Sequence, residues 1–261
     1  MPVTVDYQSV TELFGEEVST EQVDRICNRY YWAGTYCRGK DVLEAACGSG
    51  QGLGYLAGLA RSIRAGDYAF DILRYPKSHY GPRISLQQFD AQRIPFRDHS
   101  FDVVILFEAI YYLPDADIFV EECRRVLRRG GRVLVATANK DLFDFNPSPY
   151  SHRYYGVVEM NELFARHGFA SEFFGNTPVD AVGCRQRFLR PAKKIAVDLG
   201  IIPKTSQGKK ILKRLLFGRL VRMPAEIEEG MARYVEPARL SPSMADKNHK
   251  VIYCAATNEG K

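Results

Sequence analysis

No run of 18 apolar residues occurs anywhere in the 261-residue chain, so no membrane-spanning helix is expected. None of the six cysteines (Cys27, Cys37, Cys47, Cys123, Cys184 and Cys254) pairs at C-x-x-C spacing. That argues against a zinc ribbon or a disulfide frame and for reduced thiols. The five histidines are scattered, and no metal site is expected from them. Met1 to Val10 carries neither the basic nor the apolar segment of a secretory signal, so a cytoplasmic location is expected. No internal repeat is visible. What remains is a chain with 46% hydrophobic and 26% charged residues, the balance of a soluble globular protein. Its length suits one large domain with a sizeable core.

The chain is organised around Asp41-Val-Leu-Glu-Ala-Ala-Cys-Gly-Ser-Gly50. An apolar run reads as a buried parallel strand, the glycines as a sharp turn that brings backbone against a ligand, and Tyr55 to Arg61 as the following helix. Strand, glycine turn and helix form the first unit of a nucleotide-binding α/β fold. The spacing excludes two common versions. A G-x-G-x-x-G fingerprint started at Gly48 meets Leu53, and one started at Gly50 meets Tyr55. A phosphate-cradling loop needs Gly-Lys-Ser/Thr, which is absent.

Glu44-Ala-Ala-Cys-Gly-Ser-Gly50 closely resembles the E/D-x-x-x-G-x-G motif of the class I S-adenosylmethionine (SAM) methyltransferases. Three further stretches extend the resemblance over residues 25 to 140. Asp67-Tyr-Ala-Phe-Asp-Ile-Leu73, whose acid lies 17 positions past Gly50, is similar to the family's run at the tip of the second strand, with Ala69 where Ser is usual. Asp90-Ala91, Ile94-Pro-Phe96 and Ser100-Phe-Asp-Val-Val-Ile-Leu-Phe107 resemble its adenine site and fourth strand. Arg29-Tyr30 matches an Arg-Tyr pair on a helix ahead of the first strand, a helix opened by Ser19-Thr-Glu-Gln22. The resemblance implies SAM as cofactor and S-adenosylhomocysteine as product. It implies a cofactor site of Arg29, Tyr30, Glu44, Ala46, Gly48, Gly50, Asp67, Tyr68, Asp90, Ala91, Phe107 and Glu108. Within it Asp67 would accept from ribose hydroxyls, Asp90 from the adenine amino group, and the Ala91 N–H would donate to a ring nitrogen. The Arg29 guanidinium is suited to a carboxylate.

For the acceptor side, Tyr111 and Tyr112 follow the fourth strand, and at least one should line the pocket. His152, in the Asn146 to Tyr155 loop, is the candidate general base, since imidazole titrates near neutrality. Asp115 to Leu127 reads as an amphipathic helix stopped by Arg129-Gly-Gly131, and Lys250 to Ala256 as an antiparallel last strand.

The expected architecture is one α/β domain over 1–261. It is a Rossmann-like, seven-stranded, mostly parallel sheet (order 3-2-1-4-5-7-6) with helices on both faces. The core covers about 20–180 and 248–258, and a basic helical insertion covers about 181–247. Residues 183–222 hold twelve Lys or Arg and one acid, Asp198, for a local charge of +11 in a chain whose total is +5. Lys209 to Leu220 reads as a basic amphipathic helix. It would lid the site over an anionic acceptor, lie on an anionic membrane surface, or simply cover the sheet. The expected activity is methyl transfer from SAM to a small-molecule, glycan or lipid-linked acceptor, foremost at a hydroxyl oxygen. An RNA or protein methyltransferase and a non-catalytic SAM-binding protein are the alternatives; nucleic acid is disfavoured because the basic segment lacks interleaved aromatics.

Overall fold

A computed structural model of the protein describes residues 7–179 and 220–260. Strands β1 (Glu17–Ser19), β2 (Asp41–Glu44), β3 (Ser62–Asp67), β4 (Ser85–Gln88), β5 (Phe101–Phe107) and β6 (Leu127–Ala138) precede β7 (Phe169–Pro178), β8 (Leu220–Arg222), β9 (Ala238–Leu240) and β10 (His249–Asn258). Five α-helices among the described residues join them: α1 (Thr20–Cys37), α2 (Leu53–Leu59), α3 (Phe70–Tyr80), α4 (Ala116–Val126) and α5 (Val157–Arg166). The main sheet runs β4-β3-β2-β5-β6-β10-β7-β9. Its strands are parallel from β4 to β6; β10 inserts antiparallel between β6 and β7.

Side-chain alternation splits the core between the two faces of the sheet. Val103 and Ile105 of β5 and Val251, Tyr253 and Ala255 of β10 pack under α1, where Trp32 stacks on Tyr253 with ring centroids 4.7 Å apart. Val104, Leu106, Ile252, Cys254 and Ala256 face α4 and α5, whose Phe119, Val120, Leu163 and Phe164 are fully buried. Helix α1 starts at a capping box: the Gln22 N–H donates to Ser19 Oγ, and the Ser19 N–H donates to Gln22 Oε1. This satisfies two of the donors that a helix start leaves open.

Two expectations need correction. The sheet has eight strands, because β9 adds an antiparallel edge to β7, with Leu240 opposite Phe173. Three residues, Ala-Arg-Leu, are too few to register as a periodic pattern. The glycines at 130 and 131 do not stop α4, which ends at Val126; they lie inside β6, where its register against β5 shifts between Phe101 and Val103. Gly130 takes φ +74°, as such a bulge requires. Of the region expected as an insertion, residues 220–247 are described and contain no helix; they hold β8, β9, turns and irregular connections. Residues 181–219, with Cys184 and nearly all of the expected basic helix, lie outside the described residues. Residues before 20 also take part in the fold: β1 pairs antiparallel with β8 in a separate two-stranded sheet.

The return leg of the insertion is tied down along its length. The Ile227 N–H donates to the Gln51 carbonyl (2.7 Å) and the Tyr31 hydroxyl to the Glu228 carbonyl (2.6 Å). The Val235 N–H donates to Asn28 Oδ1 (2.7 Å), and Glu226 pairs with His79 and Arg83. No helix among the described residues is long and apolar enough to cross a membrane.

Candidate functional site

A cavity of about 420 Å³ opens at the C-terminal ends of β2, β3 and β5, inside the range of about 300–1,000 Å³ typical of small-molecule sites. This is where an open parallel sheet binds ligands. Its floor is the turn after β2. Gly48 takes φ +55° there, and its N–H donates to Asp67 Oδ2 at 2.9 Å. The other oxygen, Oδ1, accepts the Ala69 N–H at 2.9 Å. Asp67 therefore braces two loops while each oxygen keeps a lone pair for a further donor. Burial pushes its carboxyl pKa up, against the pull of these N–H bonds. At the next strand tip Asp90 Oδ1 accepts from the Gln92 N–H (2.9 Å), beside the buried Ala91. Tyr68 is 60% exposed at the rim, with its ring edge-to-face with Tyr7.

Behind the turn, Glu44 is fully buried. Its Oε1 accepts from the Tyr30 hydroxyl at 2.5 Å, and its Oε2 has no partner. Burial pushes the Glu44 pKa up to about 7, against the opposing pull of the Tyr30 hydrogen bond and the Arg29 charge. The Tyr30 ring reaches Glu44 only because residue 52 is glycine: a Cβ there would stand 2.1 Å from ring carbons. Gly50 serves packing instead. A Cβ on it would come 2.7 Å from Pro76 Cβ of α3, and its φ is +84°.

Arg29 closes the far wall. Its Nη1 lies 3.3 Å from Glu108 Oε1, and its guanidinium sits over the Phe107 ring at 5.6 Å; its Nε is buried without a partner. Burial works against its charge, but Glu108 together with Tyr30, Glu12 and Tyr253 outweighs it and the pKa is raised. Glu108 adopts φ +50°, a left-handed conformation uncommon for this residue type, directly after β5. Such strain concentrates at functional sites. The Tyr111 hydroxyl donates to Glu108 Oε2 (3.2 Å), and its ring stacks on Tyr154 at 4.3 Å. The Tyr112 hydroxyl shares a 2.6 Å hydrogen bond with Ser148 Oγ. Burial raises both phenol pKa values.

The structure thus brings Arg29, Tyr30, Ala46, Gly48, Asp67, Tyr68, Asp90, Ala91, Phe107, Glu108, Tyr111 and Tyr112 to one cavity. Both tyrosines line it, where the sequence distinguished neither. Glu44 stands behind the wall and Gly50 packs away from it. His152 is exposed and outside the lining; what it brings to the site is its backbone N–H, donated to the Tyr111 carbonyl (2.7 Å). The sequence reading missed the roof, made by Tyr7, Thr11 and Glu12, and the far-wall residues Arg25, Lys250 and Tyr253. The one available signal was Arg25, four positions before Arg29 on a helix and hence on the same face. Among the described residues no group of three or more His, Cys, Asp or Glu is placed to hold a metal ion.

Comparison with known proteins follows this geometry. Residues 43–135 match the family model described as a methyltransferase domain. A probable S-adenosylmethionine-dependent methyltransferase of Mycolicibacterium smegmatis is 38% identical over 140 residues, which is 52% of this chain and 54% of that protein. A fatty-acid O-methyltransferase of the same organism is 38% identical over 106 residues, 38% of each chain. The chain thus spans about half the length, or less, of these curated relatives. Among solved structures, the YcgJ protein of Bacillus subtilis aligns with a TM-score of 0.58 at 17% identity, covering 89% of this chain and 99% of that one. At that identity the likeness establishes the fold.

Proposed function

We propose that the protein, whose residues 43–135 match a methyltransferase domain, is a class I S-adenosylmethionine-dependent methyltransferase that transfers a methyl group from SAM to an oxygen of a small, lipid-like acceptor. The observation that carries this is one cavity whose lining combines the acids Asp67 and Asp90 and the Gly48 turn with the cations Arg25, Arg29 and Lys250 and with the apolar Val10, Leu113 and Pro114.

The donor set fits the cofactor. Asp67 has free lone pairs for ribose hydroxyls. Asp90 and the Ala91 N–H offer an acceptor and a donor side by side, the complement of an adenine edge. The unpartnered Arg29 Nε, on a residue that lines the cavity, is the kind of buried polar atom that a bound zwitterion would satisfy. Bound SAM supplies a methyl group activated as a sulfonium, which the acceptor displaces in line. The work of the chain is to hold the acceptor against that methyl and keep water out, a positioning effect worth roughly 7–11 kcal/mol. The ion pair and stacked rings around Glu108 hold the far wall still while this happens. Relatives that include a fatty-acid O-methyltransferase favour a lipid-like acceptor. A hydroxyl and a carboxylate are the two oxygens open to it.

The test is incubation with methyl-labelled SAM and a cell extract that retains its membranes, followed by partition of the label. Label in extractable lipid supports the proposal; label in acid-precipitable RNA or protein replaces it. SAM binding without any transfer would leave a cofactor-binding protein in place of an enzyme.

A further inference from the structure

Three cations line the cavity: Arg25, Arg29 and Lys250. Two are neutralised, Arg29 by Glu108 at 3.3 Å and Lys250 Nζ by Glu21 Oε1 at 2.5 Å. Arg25 is half-buried and, among the described residues, has neither a carboxylate within 4.0 Å nor a hydrogen-bond acceptor. It stands one turn before Arg29 on α1, and both charges reach the Tyr253 phenol on the same wall. The donor fork of a guanidinium without a counter-ion on a cavity wall matches a carboxylate.

Around Arg25 the wall is short of free proton acceptors suited to a hydroxyl substrate. None of the five histidines lines the cavity. Tyr111, Tyr112 and Tyr253 are phenols that burial holds in their neutral form. Of the carboxylates near Arg29, Glu108 is engaged by Arg29 and Tyr111 at once, and Glu12 accepts from the Gln22 side-chain amide. A carboxylate needs no base, because it arrives deprotonated. Val10, Leu113, Pro114 and the rings of Tyr7 and Tyr112 give the same cavity a stretch of apolar lining suited to a hydrocarbon body.

We propose that the acceptor is an apolar carboxylate, and that Arg25 anchors one of its oxygens while the other is methylated. This rests on the methyl-transfer reading above. The free carboxylate oxygen forms the new O–CH₃ bond. The S–CH₃ bond breaks with its electron pair passing to sulfur. The products are a methyl ester and S-adenosylhomocysteine, and no proton moves.

The experiment uses the full chain, methyl-labelled SAM, palmitate, its alcohol hexadecanol, and the acidic and neutral lipid fractions of native cells. Mild alkali then distinguishes an ester, which releases labelled methanol, from an ether, which does not. Alkali-labile label in palmitate or in the acidic lipids is the expected result. Alkali-stable label in hexadecanol or neutral lipids, or no label in acidic lipids from protein that binds SAM, overturns the proposal; protein that does not bind SAM fails the earlier reading instead. For the anchor, Arg25→Gln should raise KM for the labelled carboxylate at least tenfold, with SAM affinity and thermal stability unchanged, and Arg25→Lys should recover part of the loss. Binding of the same carboxylate to protein saturated with S-adenosylhomocysteine should weaken in parallel. An unchanged KM in Arg25→Gln would remove Arg25 from acceptor recognition.

Discussion

Glu44→Gln should stabilise the protein at alkaline pH and leave it nearly unchanged at acid pH. The carboxyl is fully buried, and its pKa rises from 4.5 to about 7 on folding. Below about pH 4.5 it is protonated in both folded and unfolded chains and costs nothing. Between 4.5 and 7 only the unfolded chain ionises, so each increment of pH removes stability; above 7 the cost is complete. At about 1.36 kcal/mol per pKa unit the full cost is about 3 kcal/mol, of which about 1 kcal/mol is already present at pH 5. Glutamine reproduces the protonated acid, with an oxygen to accept from Tyr30 and a donor where Oε2 stands. Urea unfolding of wild type and Glu44→Gln at pH 5 and pH 8 reads the difference directly. The stability difference in favour of Gln should grow by about 2 kcal/mol between those two pH values. Other titrating groups cancel in the comparison. Parallel pH profiles for the two proteins would refute the reasoning and mean that water or a neighbour solvates Glu44 in the folded state.

Three further substitutions test separate parts of the site. Asp67→Ala removes the acceptor of the Gly48 and Ala69 N–H groups as well as the proposed ribose contact, and calorimetry should show SAM binding weakened at least tenfold (about 1.4 kcal/mol) with the far-ultraviolet spectrum intact. Gly52→Ala places a methyl 2.1 Å from the Tyr30 ring, so it should cost about 1–3 kcal/mol of stability by overpacking and dislodge Tyr30 from Glu44, measured by urea unfolding and by SAM affinity. Tyr111→Phe keeps the stack on Tyr154 but deletes the donor to Glu108; steady-state kinetics should show kcat reduced less than tenfold and an unchanged pH profile, whereas loss of an alkaline limb would make Tyr111 a proton carrier.

The half of the site legible in the sequence is the half made of short local segments. Gly48, Asp67, Asp90 and Phe107 each sit at or just past the C-terminal end of a strand, so identifying four strands in register was enough to bring them together. The two-residue period along β5 and β10 likewise followed from their apolar runs. Other features depended on contacts between distant parts of the chain. Nothing local marks Gly52 as the space for a tyrosine ring 22 positions earlier, and its place beside two motif glycines concealed that role. His152 suited a base by chemistry alone, but its loop joins the site through a backbone N–H and leaves the ring outside. Lys250 reaches the cavity because β10 runs antiparallel, which puts its first residues beside the C-terminal ends of the other strands.

The same long-range logic joins the insertion to the site. Gln51, the residue after the motif's last glycine, grips two segments at once. Its side-chain amide donates to the Glu12 carbonyl of the roof (2.6 Å), and its own carbonyl accepts the Ile227 N–H of the insertion's return leg (2.7 Å). Roof and return leg are also joined directly, by the Gly15 N–H to the Met223 carbonyl (2.8 Å), the Met223 N–H to the Glu16 carbonyl (2.9 Å) and the pairing of β1 with β8. A displacement of the return leg would therefore pull on the roof over the cavity through backbone hydrogen bonds at both ends, without passing through the sheet. Because Ser49 Oγ also donates to the Glu12 carbonyl (2.9 Å), the roof is anchored to the turn that carries the proposed cofactor contacts. The turn that carries the proposed cofactor contacts, the roof and the return leg are thus tied together by one continuous set of hydrogen bonds.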